Sequence, residues 1–398
     1  MNKAESRLQR PGKPEQFATR LIFLLCGIGQ SAWAPLVPYA KARVHANDQQ
    51  FGLLLLCFGL GSIVAMPTMG ALAARFGCKR LIQITVGGLC LSFLSVSIAP
   101  TTVLLAASLI SFGAFLGSLD VVMNVQALLV EKASGENLMP GFHALYSVGG
   151  ISGAVLMSGL IWIGTPIGLA ALMVVMVLAG LLAIARGSLL TYAGEQQGHR
   201  GIAWPNRHVL LIGALAFLMM LVEGSMLDWS AVFLVDGAGM LARHAGIGYT
   251  AFSIAMTLSR FGGSRMVTRF GRTRVIVSGA LLAATGFIVA VLVPGVSVAV
   301  LGFVLIGLGA ANLVPLFFSL ASEAKGSLGG NVSFVTTFGY SGILAGPALI
   351  GFVVHRAGFP VAFGGIAFLL LLVALLSRAA IAGTSLGEGR IETIASSL

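Results

Sequence analysis

The chain has 398 residues, of which 57% are apolar and 9% charged, and its mean hydropathy is +0.97. Soluble domains are about a quarter charged, so an ordinary globular enzyme is excluded. The 53 glycines suit helices whose backbones approach closely in lipid. Lys and Arg number 24 against 13 Asp and Glu, a net charge of +11. These positives lie in short loops beside apolar runs, not on a basic face, which disfavours nucleic acid as a partner.

About 20 apolar residues cross the ~30 Å hydrocarbon core as a helix, and charge, proline and polar turns divide the chain into twelve such stretches. They are Leu21–Tyr39, Phe51–Ala74, Leu81–Ala99, Thr102–Val130, Met139–Ile163 and Pro166–Ala185, then Val209–Val235, Ala245–Gly263, Val275–Val293, Val296–Ser322, Leu328–Val354 and Phe359–Ser377. Several carry β-branched residues and glycine, but a lone segment in lipid must satisfy its own backbone, which leaves only helix. The first run follows basic residues and has no small-residue cleavage site behind it, so it reads as a retained span. Cys26, Cys57, Cys78 and Cys90 form no CxxC pair, and neither a disulfide nor a metal site is expected.

With the N-terminus inside, the cytoplasmic segments hold 19 Lys and Arg against 4 in the outer loops. By the positive-inside rule both termini are expected in the cytoplasm. The polar stretch between spans six and seven divides the chain into a six-helix bundle at 1–186, a cytoplasmic linker at 187–207 and a second bundle with a short tail at 208–398. A shift of 194 residues lays Arg75-Phe76-Gly77 on Arg269-Phe270-Gly271, Tyr146-Ser147 on Tyr340-Ser341 and Gly113 on Gly307. The expected fold class is therefore an all-α membrane protein, with twelve transmembrane helices in two pseudo-symmetric halves. Such repeats are the layout of a rocking-bundle transporter with its substrate site near the midplane.

The loop Gly70…Arg75-Phe76-Gly77…Lys79-Arg80 resembles the signature loop of the major facilitator superfamily, and its weaker copy ends in Arg269-Phe270-Gly271-Arg272…Arg274. Gly339…Gly346-Pro347…Gly351 resembles the glycine–proline pattern of the family's eleventh helix. More narrowly, Gly117…Asp120…Asn124, Phe142-His143…Tyr146 and Glu223…Asp228-Trp229 are similar to a bacterial inner-membrane branch related to fucose permease and rhizopine transport proteins. The resemblance implies alternating access and loop arginines that latch conformations. It is incomplete in three places. Ala74 and Thr268 replace the usual acid of the loop, Ser108 and Leu109 stand where drug antiporters carry an arginine, and Gln30 and Ala34 replace a first-span carboxylate. Without the loop acid, Arg75, Lys79, Arg80, Arg269, Arg272 and Arg274 read as unpaired positives, which would favour the inward-open state unless lipid head groups or Glu131, Glu136 or Glu323 supply the missing charge.

Among charged residues, only Asp120, Glu223, Asp228 and Arg260 fall well inside spans. A charge at the membrane centre costs about 2.5–3.5 kcal/mol on insertion scales, so each is a candidate for proton coupling. Against this stands a purely structural ion pair, Arg260 with Glu223 or Asp228. Asp120 and Asn124 share one helical face at a spacing of four. Tyr249, Ser253, Thr257 and Arg260 form a second stripe. Gln30, Trp33, Asn124, His143, Tyr146, Trp229, Tyr249, Asn312 and Tyr340 are candidate substrate contacts, since amides, hydroxyls and aromatic faces suit a hydroxyl-rich solute. Packing or interface anchoring is the competing role for each aromatic.

No phosphate-cradling loop, metal-ligand cluster or nucleophile–base pair is present, so the reading assigns no catalytic residue, no cofactor and no metal. The expected partners are a small-molecule substrate, protons and the bilayer, and a monomer is expected. The function that follows is secondary transport of a sugar, polyol or amino-cyclitol, with efflux of amphipathic compounds or a non-transporting sensor or assembly factor as rivals.

Overall fold

The computed structural model describes residues 12–136, 138–192, 206–325 and 328–395. The basic residues Lys3, Arg7 and Arg10 and most of the expected linker, residues 193–205, lie outside these. The helices are α1 (Lys13–Ser31), α2 (Val37–Arg43), α3 (Asp48–Phe76), α4 (Cys78–Ile98), α5 (Thr102–Ser134), α6 (Met139–Trp162), α7 (Ile167–Ala185), α8 (Arg207–Val232), α9 (Ile247–Phe270), α10 (Arg272–Leu292), α11 (Val296–Ala310), α12 (Leu313–Glu323) and α13 (Leu328–Ala395). Ten stretches among the described residues are long and apolar enough to cross a membrane.

Two details reconcile those ten with twelve spans. The last stretch, Phe334–Ile381, has 48 residues and turns at Gly358, where φ is +79. It therefore holds spans eleven and twelve. The 24-residue α9 falls short on apolarity because Arg260 and a row of hydroxyls run along it. Spans one and ten are each built from two helices. The first breaks over Ala32–Leu36, where Pro35 and Pro38 lack the N–H that would close the ladder, and the second breaks at Ala311–Asn312.

The chain forms two compact units, Met1–His45 with Cys57–Gly198, and Ala46–Leu56 with His199–Leu398. In the first, α1 packs on α6 and α4 on α5; in the second, α8 packs on α13 and α10 on α11. The segment Ala46–Leu56 at the start of α3 packs with the second unit. There Phe51 is fully buried, edge-on to Trp229 at 6.3 Å between centroids.

The sequence repeat is a structural repeat. Gly77 (φ 80, ψ 156) and Gly271 (φ 79, ψ 155) start α4 and α10 in nearly the same conformation, one that residues with a Cβ seldom adopt. Gly113 lies against the carbonyl of Phe58, and Gly307 against that of Phe252, again 194 residues on. In lipid there is no hydrophobic force between helices, so close backbone packing at such small residues carries much of the association.

Candidate functional site

In the first unit, one turn of α5 brings Asp120 and Asn124 together. The amide Nδ2 of Asn124 donates to the Asp120 carbonyl oxygen at 2.8 Å and faces its Oδ1 at 3.4 Å. Both side chains are half-buried, and Cys26 of α1 lies within electrostatic reach of Asp120. Across the α1–α6 contact, the Tyr146 hydroxyl donates to Oε1 of Gln30. His143, exposed near the start of α6, meets Phe23 edge-on at 5.2 Å. Trp33 is 2% exposed, which gives it a packing role at the break in span one.

The second unit holds the ionic cluster. Nη2 of Arg260 lies 3.3 Å from Oε1 of Glu223, and Nε donates to the carbonyl oxygen of Ala311 at 3.1 Å. That carbonyl is free for a plain reason. In a continuous helix it would accept from the residue four positions on, which is Pro315 and has no N–H. Asn312, at the same break, donates to the Ser259 carbonyl oxygen at 3.4 Å. Tyr249 lies within electrostatic reach of Glu223, Arg260 and Asp228, and Asp228 is 6% exposed. Of the stripe on α9, Ser253 and Thr257 are buried in the packing.

One expectation needs adjustment here. Trp229 has no exposed surface; its Nε1 donates to the carbonyl of Pro347 at 3.2 Å, and Phe51 and Phe359 enclose the ring. It is a core group, with no face left for a solute. Tyr340 is 39% exposed on α13, but the repeat does not reproduce the Gln30–Tyr146 pair, because the position matching Gln30 is Gly224.

The loops also depart from the expectation of unpaired positives. Arg272 pairs with Glu323 at 2.6 Å, so the second copy replaces its missing acid with one from the end of α12. Arg75 and Arg80 lie over the Phe76 ring at 5.1 and 5.5 Å, and Arg269 over Phe270 at 5.4 Å. Gly70 sits inside α3 near its end. Gly77 lies against the backbone of Thr191, and the N–H of Lys79 donates to the Leu190 carbonyl at 2.7 Å. The first loop therefore clasps the start of the linker.

Gln126 and Pro315 were missed at the level of sequence, and Glu131 was considered there only as a source of charge for the loops. Gln126 is 1% exposed, donates to Thr19 at 3.3 Å and accepts from the Leu190 N–H at 3.1 Å. Glu131 accepts from the N–H groups of Leu138 and Met139 at 2.7 and 2.6 Å, capping α6. Pro315 frees the carbonyl that Arg260 fills. A lone glutamine and a lone proline inside apolar runs were the available signals.

With this geometry in place, the family comparison is decisive. The model of the Major Facilitator Superfamily matches residues 21–323 and 225–391. The chain belongs to the major facilitator superfamily. It is 46% identical over 379 residues to an uncharacterised MFS-type transporter of Yersinia pestis, covering 95% of this chain and 98% of that one. It is 30% identical over 354 residues to membrane protein MosC of Rhizobium meliloti, covering 87% and 86%. The Escherichia coli fucose:proton symporter FucP shares the fold at a TM-score of 0.61 and 19% identity, over 92% of this chain and 98% of that one. These findings bear out the resemblance carried by the motifs, and the protein is a multi-pass membrane transporter.

Proposed function

We propose that this transporter moves a small polar solute, a sugar, polyol or amino-cyclitol, across the bacterial inner membrane together with a proton, by alternating access and with both termini in the cytoplasm. The observation that carries the reading is Asp120 with Asn124 on one turn of a predominantly apolar span. A carboxyl there takes up and releases a proton, while the adjacent amide offers both a donor and an acceptor to a hydroxyl. The Gln30–Tyr146 pair adds a second neutral polar group in the same unit. The Glu223–Arg260 pair supplies the second unit with a charge pair whose strength changes when the carboxyl is protonated. The proton symport named for FucP supports the coupling by analogy of fold alone.

The test is a thermal-shift screen on detergent-purified protein, because a ligand that binds the folded state raises its melting temperature. Polyols, sugars and amino-cyclitols are expected to raise it at millimolar concentration, and Asp120→Asn to retain part of that shift. A response to amphipathic cations and to no hydroxylated solute would favour efflux instead.

A further inference from the structure

At the end of the first unit away from the Gly70–Arg80 loop, the ends of three spans line an open crevice of about 560 Å³. Tyr39 and Arg43 line it from α2, Ser97 and Ile98 from the end of α4, and Ile167 and Gly168 from the start of α7. Arg43 is half-buried, and its Nη1 donates to the Val96 carbonyl at 3.4 Å, in the last turn of α4. That bond fixes the guanidinium at the crevice wall and leaves most of its donors for something else. The first turn of α7 follows Pro166 with no side-chain cap, so its N–H groups add partial positive charge to the same space. Among the described residues no carboxylate lines the crevice.

The surroundings say what kind of anion fits. Below the crevice, Ile84, Leu91 and Ile98 form an exposed row along α4, seven residues apart, with Leu91 72% exposed. Leu169, Leu172, Met173 and Met176 form another along α7. At the same end Trp162 is 60% exposed, and indoles in such places sit at headgroup level. A cationic, acid-free crevice at the polar edge thus runs without interruption into two hydrocarbon-facing rows. A free anion would use only the crevice. A zwitterionic headgroup would bring an ammonium for which the lining has no carboxylate.

We propose that this crevice binds an anionic phospholipid, its phosphate against Arg43 and its acyl chains along the exposed rows of α4 and α7. The test is native mass spectrometry of the full chain in detergent, titrated with phosphatidylglycerol, phosphatidylcholine or inorganic phosphate. The expected result is retention of phosphatidylglycerol over phosphatidylcholine, with no displacement by millimolar phosphate. Arg43→Gln should weaken phosphatidylglycerol about tenfold, the scale of one charge-assisted hydrogen bond. Ile98→Trp, at an exposed position that keeps Arg43, should weaken it as well by filling the crevice, and decides the matter if Arg43→Gln fails to fold. Equal binding of the two lipids, displacement by phosphate, or unchanged affinity in the folded variants would overturn the proposal.

Discussion

Arg260 donates through Nε to the carbonyl oxygen of Ala311 at 3.1 Å, the oxygen whose helical donor is removed by Pro315. A charged side chain thus replaces a missing backbone bond at a break inside a span, and the same guanidinium faces Glu223 at 3.3 Å. Backbone groups at membrane depth must find partners within the protein, so the break and the cation explain each other.

Removing the side chain should therefore expose the break. Arg260→Gln is expected to cost about 1–3 kcal/mol, the range for an orphaned polar group. In a Pro315→Ala background residue 315 regains its N–H, and the cost of Arg260→Gln should fall by half or more. Denaturant unfolding in detergent, followed by tryptophan fluorescence, measures both. Equal costs in the two backgrounds would separate Arg260 from the break.

The pair with Glu223 is partly open, with side-chain exposures of 34% and 23%, so its coupling should be modest. A double-mutant cycle of Glu223→Gln and Arg260→Gln is expected to give about 0.5–1 kcal/mol. Strict additivity would mean that the two groups do not interact.

Gly77 and Gly271 share one backbone conformation but not one environment. A Cβ at Gly271 meets nothing within 4 Å, whereas one at Gly77 runs into the backbone of Thr191. Gly271→Ala should cost only the strain of its dihedral angles, about 1–3 kcal/mol. Gly77→Ala should cost more and should loosen the start of the linker. Melting temperatures of the two variants test the order, and equal losses would contradict it.

Gln126→Ala should leave the Leu190 N–H without its side-chain acceptor, at about 1–3 kcal/mol. Hydrogen exchange at Leu190 is the direct readout, and unchanged protection there would show that the bond does not hold the linker.

The fold was legible because its signals are additive along the chain. Span after span is apolar, and one shift of 194 residues aligns glycines that the structure places at matching contacts, Gly113 with Phe58 and Gly307 with Phe252. The site was less legible because the repeat preserves packing and discards polarity. The position matching Asp120 is Val314, that matching Arg260 is Met66, and that matching Glu223 is Gly29. Expense in lipid picked out the four intramembrane charges, yet no spacing rule announced that Arg260 would fill a carbonyl on α11's broken end. Trp229 reads equally well as a contact or a core group until its neighbours are known. Glu323 was one of three acids that could supply the loop's missing charge, and only the fold selects it for Arg272, 51 residues away in sequence.

Proton movement driven by solute in proteoliposomes tests the central claim most directly. With the membrane potential clamped and a pH-sensitive dye inside, addition of a solute that raised the melting temperature should carry protons inward with it. Asp120→Asn should abolish that proton signal while still exchanging labelled solute across the membrane. Solute uptake without proton movement in the wild type, or an undiminished proton signal in Asp120→Asn, would contradict the account.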